Sequence, residues 1–191
     1  LKNDSVYGRT NYYVLKMFSE NRPDVNLHTD LKPASPEPVF RTNGFIGLGT
    51  NNTEAQFKDL KVIVNGEEIY TSGWSDFVDK WTIIRGDWKT EGNLLSQSQK
   101  GIDALAILED REFDDCTIEL KAKKISGTEG FRIVFGGTDS NNYFMADIGS
   151  HTNESVIFRE VNNEGSISLF DYRNTASIKT DQWYTVRIEI K

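Results

Sequence analysis

Two groups of aromatic, amide and charged residues have the side-chain types of a ligand-binding surface, and both sit at or near predicted loops. The first group is Tyr143 with Asp139, Asn141 and Asn142, and the second is Arg159, Phe170, Tyr172 and Arg173. Aromatic rings pack on the apolar face of a sugar ring, while amides, carboxylates and arginine bond its hydroxyl groups. The sequence therefore favours carbohydrate as a ligand of either group. The alternative is that they are ordinary turn and surface residues.

The first group could also hold a cation. Asp139, Asn141 and Asn142 offer the carboxylate and amide oxygens that calcium prefers, although their spacing is not that of an EF-hand loop. Calcium at Asp139 is the one cofactor that the sequence suggests.

Catalytic arrangements are harder to find. Glycoside hydrolysis uses two facing carboxylates, about 5 Å apart in retaining enzymes, and Glu112 with Asp114 is the nearest sequence pair. We expect these two acids to lie in a solvated turn. His28 and His151 have no metal-spaced partner, and no serine or cysteine has the sequence context of a nucleophile elbow. We assign no catalytic residue and predict that both histidines are surface residues.

Glycine pairs and tryptophans have structural interpretations. Gly136-Gly137 and Gly47-x-Gly49 lack the strand-to-helix context of a phosphate-binding loop, so we predict that they are turn glycines. Trp81 and Trp88 are expected to fix the opening strands of the fold, and Trp183 to begin a core strand.

The bulk composition limits the classes of protein. The chain has 191 residues, a formal net charge of −7 and an isoelectric point near 4.9, which disfavours a phosphate-binding surface and hence nucleic acid as a partner. Its single cysteine, Cys116, excludes an intrachain disulfide and is predicted to be a small buried hydrophobe. No apolar run is long enough to cross a bilayer.

The beginning of the chain differs from the remainder. Residues 10–20 place Tyr13 with Met17 and Val14 with Phe18 on one side of a predicted short helix, which ends before Pro23. Three prolines in residues 33–38 favour an extended connector. We therefore predict a helical segment over residues 1–30, a proline-rich linker over 31–39 and a β-sandwich over 40–191.

The remaining sequence alternates apolar and polar residues between turn signals. Ile118, Leu120 and Ala122 share one face of a predicted strand, and the same spacing recurs in three further rows (Phe131, Ile133, Phe135; Phe144, Ala146, Ile148; Tyr184, Val186, Ile188, Ile190). Asn65-Gly66 lies between two β-rich segments, and residues 136–142 separate two of the rows, so both predict hairpins. The fold class is thus all-β, an antiparallel sandwich preceded by one short helix.

Two segments resemble known families. Residues 7–22 (YGRTNYYVLKMFSENR) resemble the helix that closes the catalytic barrel of family 51 α-L-arabinofuranosidases, and cover under a tenth of the chain. The phrases GFIGLGT, AQFKDLKV, GDWKTEGNL and DSNNY resemble concanavalin-like or laminin-G-like jelly-roll modules across most of residues 40–191. The first resemblance implies a remnant of a catalytic domain, and the second implies the sandwich fold without identifying a ligand.

Together the resemblances imply a non-catalytic accessory module of an arabinofuranosidase-like glycoside hydrolase. The implied partners are an arabinose-containing polysaccharide such as arabinan or arabinoxylan and the catalytic domain of the same chain, and the implied location is periplasmic or extracellular. Two alternatives stay open: a structural spacer that packs on the catalytic barrel, and a hydrolase domain in its own right.

Overall fold

The computed structural model describes residues 43–101, 103–173 and 177–191. The predicted helix, the proline-rich linker and His28 lie outside the described residues. The strands are β1 (Gly44–Asn51), β2 (Thr53–Val64), β3 (Glu67–Ser72), β4 (Trp81–Arg85), β5 (Trp88–Glu91), β6 (Leu94–Gln97), β7 (Asp103–Phe113), β8 (Cys116–Gly127), β9 (Phe131–Asp139), β10 (Asn142–Gly149), β11 (Ser155–Asn162), β12 (Gly165–Arg173) and β13 (Trp183–Glu189). Two single-turn helices, α1 (Phe77–Lys80) and α2 (Ser150–Asn153), interrupt them.

The strands form two antiparallel sheets, which confirms the predicted β-sandwich. One sheet has seven strands in the order β12-β11-β10-β9-β1-β7-β4. The other has six strands, with β13-β8-β2-β6-β5 in order and β3 paired with β2. Strand β13 therefore lies at an edge.

The predicted alternating rows form the core between the sheets. Ile118, Leu120 and Ala122 of β8 are each at most 1% exposed, and the other three predicted rows pack in the same cluster. Side chains alternate across a strand, so each row places its polar neighbours on the outer face of its sheet. The inward rows of both sheets interlock as in other sandwiches.

Three buried tryptophans close one end of this core. Trp81 lies 5.7 Å from Trp74 and 5.8 Å from Phe77, measured between ring centroids, and Phe77 lies 6.5 Å from Trp88. The indole nitrogen of Trp81 donates to the hydroxyl of Tyr70 at 3.0 Å, which satisfies a polar group that burial would otherwise leave costly. The structural role predicted for Trp81 and Trp88 is confirmed.

Trp183 begins a core strand, as predicted, but its own side chain lies outside the core. It begins β13, but its register partner is the outward Lys123, whereas the next residue, Tyr184, pairs with the inward Ala122. The indole is consequently half-buried on the outer face of the six-stranded sheet. A tryptophan at a strand start does not reveal which face it takes, because a shift of one residue reverses every side chain.

The two predicted hairpins are present, but the glycine pairs predicted to lie in turns belong to strands. The Asn65-Gly66 hairpin is confirmed between β2 and β3. The β9–β10 hairpin is also confirmed, but the strands continue to Asp139 and Asn142, so Gly136 and Gly137 are buried strand residues. The turn prediction was wrong for them and for Gly47 and Gly49 of β1. At Gly47, Gly49 and Gly137 a close neighbour across the sheet leaves no room for a side chain, and Gly136 has a φ of +57° that favours glycine.

Other local predictions hold. Cys116 is buried, and burial, aided by Asp114 and Asp115, raises the pKa of its thiol to about 12. Glu112 and Asp114 are exposed where β7 turns into β8, as the solvated-turn interpretation requires. His151 is also exposed.

Gly47 provides a test of the strand packing. A Cβ at this position would lie 2.8 Å from the backbone oxygen of Ala106. We expect Gly47→Ala to lower the free energy of unfolding by about 1–3 kcal/mol, the usual cost of overpacking. Gly73→Ala is the matched control, since a Cβ there meets nothing within 4 Å. Urea unfolding of both variants checks this, and equal stabilities would contradict it.

Candidate binding surface on the seven-stranded sheet

The outer face of the seven-stranded sheet carries a second apolar cluster with charged residues embedded in it. The cluster contains Phe45, Leu105, Ile107, Val134, Tyr143 and Met145, with Ile84 and Val161 packed against it. These residues belong to β1, β4, β7, β9, β10 and β11 and alternate with core residues. Every described strand belongs to one of the two sheets, so no described strand covers this face.

Glycines of β1 form the floor of this face. β1 lies between β7 and β9, with its Ile46 and Leu48 directed into the core. A Cβ at Gly49 would lie 2.7 Å from the backbone oxygen of Ala104 and 3.5 Å from Cβ of Arg132. Because these glycines have no side chains, the outer face has a depression over β1. Side chains of β7 and β9 can meet across this depression.

Arg132 of β9 spans this depression. Its Nη1 lies 2.7 Å from Oδ1 of Asp103 on β7, and its Nη2 lies 3.2 Å from Oδ2 of Asp147 on β10. One guanidinium thus bridges two carboxylates on opposite sides. Burial opposes its charged form, but Asp147 and Asp103 outweigh burial and raise the pKa of Arg132 above its usual value.

Asp147 is the most deeply buried charge in the cluster. Its side chain is 2% exposed, compared with 12% for Arg132 and 57% for Asp103. Nε of Arg159, on β11, lies 3.5 Å from the same Asp147 oxygen. A carboxylate held by two arginines is compensated, because burying an isolated charge would be far more costly.

The arginines keep an unused donor. Nε of Arg132 is buried and has no hydrogen-bond partner among the described residues. A buried N–H without an acceptor is costly, so such groups usually mark a place for water or a ligand oxygen. This Nε is itself shielded from solvent, so only a group that enters the cluster could accept its hydrogen bond.

Tyr143 lies in the same cluster. Burial raises the pKa of its hydroxyl, and the cations of Arg85 and Arg132 offset only part of that shift. The phenol consequently stays protonated at neutral pH and can both donate and accept. Arg85 is anchored by its Nε, which donates to the backbone oxygen of Asp103 at 2.9 Å.

The structure brings two of the seven residues predicted for sugar binding to this face, Tyr143 and Arg159. Nη1 of Arg159 donates to Oγ of Ser168 on β12 at 2.9 Å. Asn142 and Tyr143 border a small cavity of about 50 Å³, together with Glu160 and Val161.

Asn141 and Asn142 lie at the β9–β10 hairpin. The carboxylate of Asp139 accepts from the backbone N–H of Asn141 at 2.8 Å and from Nδ2 of Asn142 at 2.9 Å. These bonds are typical of a turn closed by its own side chains. Among the residues described, no three His, Cys, Asp or Glu side chains converge to hold a metal ion, and calcium at Asp139 stays a prediction.

The remaining predicted residues divide between two faces of β12. Phe170 and Tyr172 are half-buried and pack against the core, where Tyr172 meets Phe158 edge-on at 6.4 Å between ring centroids. Arg173 is exposed and its Nε lies 3.1 Å from Asp171. The group predicted from sequence is therefore not one surface.

Sequence reasoning missed Arg132, Asp147 and Asp103. A signal was present, because Arg132 stands between Phe131 and Ile133, and Asp147 between Ala146 and Ile148. A single charge in an outward position of a strand is ordinarily solvated. Only the pairing of β9 with β10, which places Arg132 opposite Asp147, shows that these charges meet.

The fold and this cluster define a β-sandwich domain with a buried ionic cluster on one outer face. In sequence, the chain is 25% identical over 192 residues to an extracellular exo-α-L-arabinofuranosidase from Streptomyces chartreusis. The similarity covers 99% of this chain but 23% of that protein, so the chain spans about a quarter of its relative. This agrees with the predicted resemblance to arabinofuranosidases.

No protein-family model matches the chain. No solved structure matches it either, so the concanavalin-like or laminin-G-like identity of the sandwich stays a prediction. Within the described part of the chain, we find no helix with the length and apolar character needed to span a membrane.

The two carboxylates that hold Arg132 should differ in their effect on stability. We expect Asp147→Asn to lower the free energy of unfolding by about 3 kcal/mol, since it removes one partner of a buried ion pair. Asp103→Asn removes a 57% exposed partner of the same arginine and should cost less than about 1 kcal/mol. Urea unfolding measures both, and a larger loss for Asp103→Asn would refute the assignment of the buried partner.

Proposed function

We propose that this chain is a non-catalytic accessory module of an arabinofuranosidase-like glycoside hydrolase, and that it binds an arabinose-containing polysaccharide such as arabinan or arabinoxylan. The proposed site is the outer face of the seven-stranded sheet. The observation that carries the proposal is Arg132, a buried cation fixed between Asp103 and Asp147 with its Nε still without a partner.

The chemistry of this face suits a neutral sugar. Arginine N–H groups and carboxylate oxygens complement sugar hydroxyls as donors and acceptors, and a phenol can serve as either. Apolar side chains such as Val134 and Met145, which are 1% and 5% exposed, pack beside these polar groups. A few placed polar groups in an apolar lining are typical of small-ligand sites.

The predicted binding residues take different parts in this proposal. Tyr143 and Arg159 contribute directly, because their side chains belong to the outer face. Asn141 and Asn142 at the hairpin and the exposed Arg173 of β12 form the rim. Phe170 and Tyr172 support β12 from the core side.

Binding without hydrolysis fits the carboxylates of the site. Asp147 and Asp103 both pair with Arg132, so one guanidinium lies between them rather than a substrate. Glu112 and Asp114 are exposed at a turn. Neither pair is arranged as the acid and base of a glycosidase.

The wider organisation belongs to the same proposal. Residues 1–30 would form the end of a catalytic barrel and residues 31–39 the linker to the sandwich, with the catalytic domain as an intramolecular partner. The parent protein would act outside the cytoplasm, since the similar Streptomyces enzyme is extracellular and the polysaccharide proposed here is too large to enter a cell.

One observation favours a second candidate, a structural spacer that packs on the catalytic domain. Phe45, Leu105 and Ile107 form an apolar cluster, at most 6% exposed, on the outer side of this sheet, and a domain interface also uses such apolar packing. The two candidates differ in a measurable way, because a spacer needs no affinity for free glycan.

Calorimetric titration with arabinan and arabinoxylan oligosaccharides tests the proposal. We expect saturable heat with the 191-residue chain, and about tenfold weaker binding for Tyr143→Phe and for Arg159→Gln, the usual effect of losing one hydrogen bond to a ligand. Tyr172→Phe is the matched control and should bind normally, since its ring packs against the core.

Circular dichroism first establishes that each variant is folded. If none of these glycans gives heat, the binding proposal is wrong and the structural spacer becomes the better-supported function. If all variants retain the same saturable heat, the glycan binds somewhere other than the seven-stranded sheet.

A further inference from the structure

The opposite outer face, on the six-stranded sheet, carries two lysines that converge on one tryptophan. Nζ of Lys58 lies 4.3 Å and Nζ of Lys123 lies 5.0 Å from the ring centroid of Trp183. This indole is half-buried, while the other three tryptophans are at most 6% exposed. Trp183 is thus the tryptophan available to a ligand.

Strand register explains the convergence. Lys123 of β8 is directly opposite Trp183 of β13. Lys58 comes from β2, the strand beyond β8, where it pairs with Lys121, and its side chain reaches across β8 to the indole. A register irregularity follows Lys58 in β2, where Asp59 has a φ of +55°.

These two ammonium groups differ from other cations on the same face. Lys121 pairs with Asp59 at 3.1 Å, Lys61 with Glu68 at 2.6 Å, and Arg187 with Glu119 at 3.3 Å. In the described residues, no carboxylate lies within ion-pair distance of Lys58 or Lys123. The chain as a whole is acidic, with a net charge of −7.

The two ammonium groups beside this ring repel each other, and this repulsion favours the binding of an anion between them. The π-face of the indole attracts each ammonium group, but it carries no net charge to neutralise them. An anionic group between the two lysines would relieve their mutual repulsion and form charge-assisted hydrogen bonds.

A cleft adjoins this position. It has a volume of about 370 Å³, and its lining includes Asp59, Asn93, Lys121 and Thr185. Thr185 is two residues beyond Trp183 on the same face of β13. Hydrogen-bonding groups therefore continue from the indole into a space large enough for a sugar unit.

We propose that Trp183, Lys58 and Lys123 form a binding site for a sugar that carries a carboxylate, that is, a uronic acid unit of a glycan. The carboxylate binds the two ammonium groups, the C–H groups of the ring pack on the exposed part of the indole, and hydroxyls face the cleft. This site is on the opposite side of the sandwich from the arginine cluster and does not depend on it.

Titration of the 191-residue chain with digalacturonate and with the neutral digalactoside tests the proposal. Tryptophan fluorescence and calorimetry should both report saturable binding of the acidic disaccharide that weakens as salt is added, because screening reduces the attraction between charges. The neutral disaccharide should bind at least about tenfold more weakly, as expected for the loss of a charged hydrogen bond.

Variants locate the site. Lys58→Gln and Lys123→Gln should each weaken digalacturonate binding about tenfold, and Trp183→Phe should remove most of the fluorescence change. Lys89→Gln is the matched control. It lies on the outer face of β5 at the other edge of this sheet, about 19 Å from Trp183 at the usual strand spacing, and should bind normally.

Some outcomes would overturn the proposal. These are equal affinity for the acidic and neutral disaccharides, no saturable signal with digalacturonate, or equal losses in Lys58→Gln and Lys89→Gln. The Tyr143→Phe variant should bind digalacturonate normally, so failure here is distinguishable from failure of the arabinan site.

Discussion

The close approach of β7 and β9 on either side of β1 is the constraint on which the seven-stranded sheet depends. Gly47 and Gly49 lie on the outer face of β1, beyond the outward Phe45, and a side chain at either glycine would strike backbone atoms of β7. Their inward neighbours, Ile46 and Leu48, meanwhile fill the core. β1 therefore needs large apolar side chains on its inner face and, at Gly47 and Gly49, no side chain on its outer face.

The ionic cluster follows from that approach. Across the depression over β1, the Arg132 guanidinium reaches a carboxylate on each side, and the buried one also attracts Arg159. Buried ion pairs add little net stability compared with apolar packing, because desolvation offsets most of their attraction. This balance is consistent with the ligand-binding role that we propose for the cluster.

The two outer faces of the sandwich recognise different chemistry in this interpretation. On the seven-stranded sheet, charges are buried, mutually compensated and set among apolar side chains, an arrangement suited to neutral hydroxyl groups. On the six-stranded sheet, Lys58 and Lys123 lie beside Trp183, and no carboxylate of the described residues is within ion-pair distance of either ammonium group.

The sequence by itself determined the all-β class, the inward rows of the core and the Asn65-Gly66 hairpin, because alternation and turn chemistry are local properties of the chain. It also singled out Tyr143 and Arg159 from their residue types. Only the tertiary structure decided that Trp183 faces outward and that Arg132 meets Asp147 and Asp103. These contacts join strands far apart in sequence, and their existence depends on strand order and register, which no local pattern encodes.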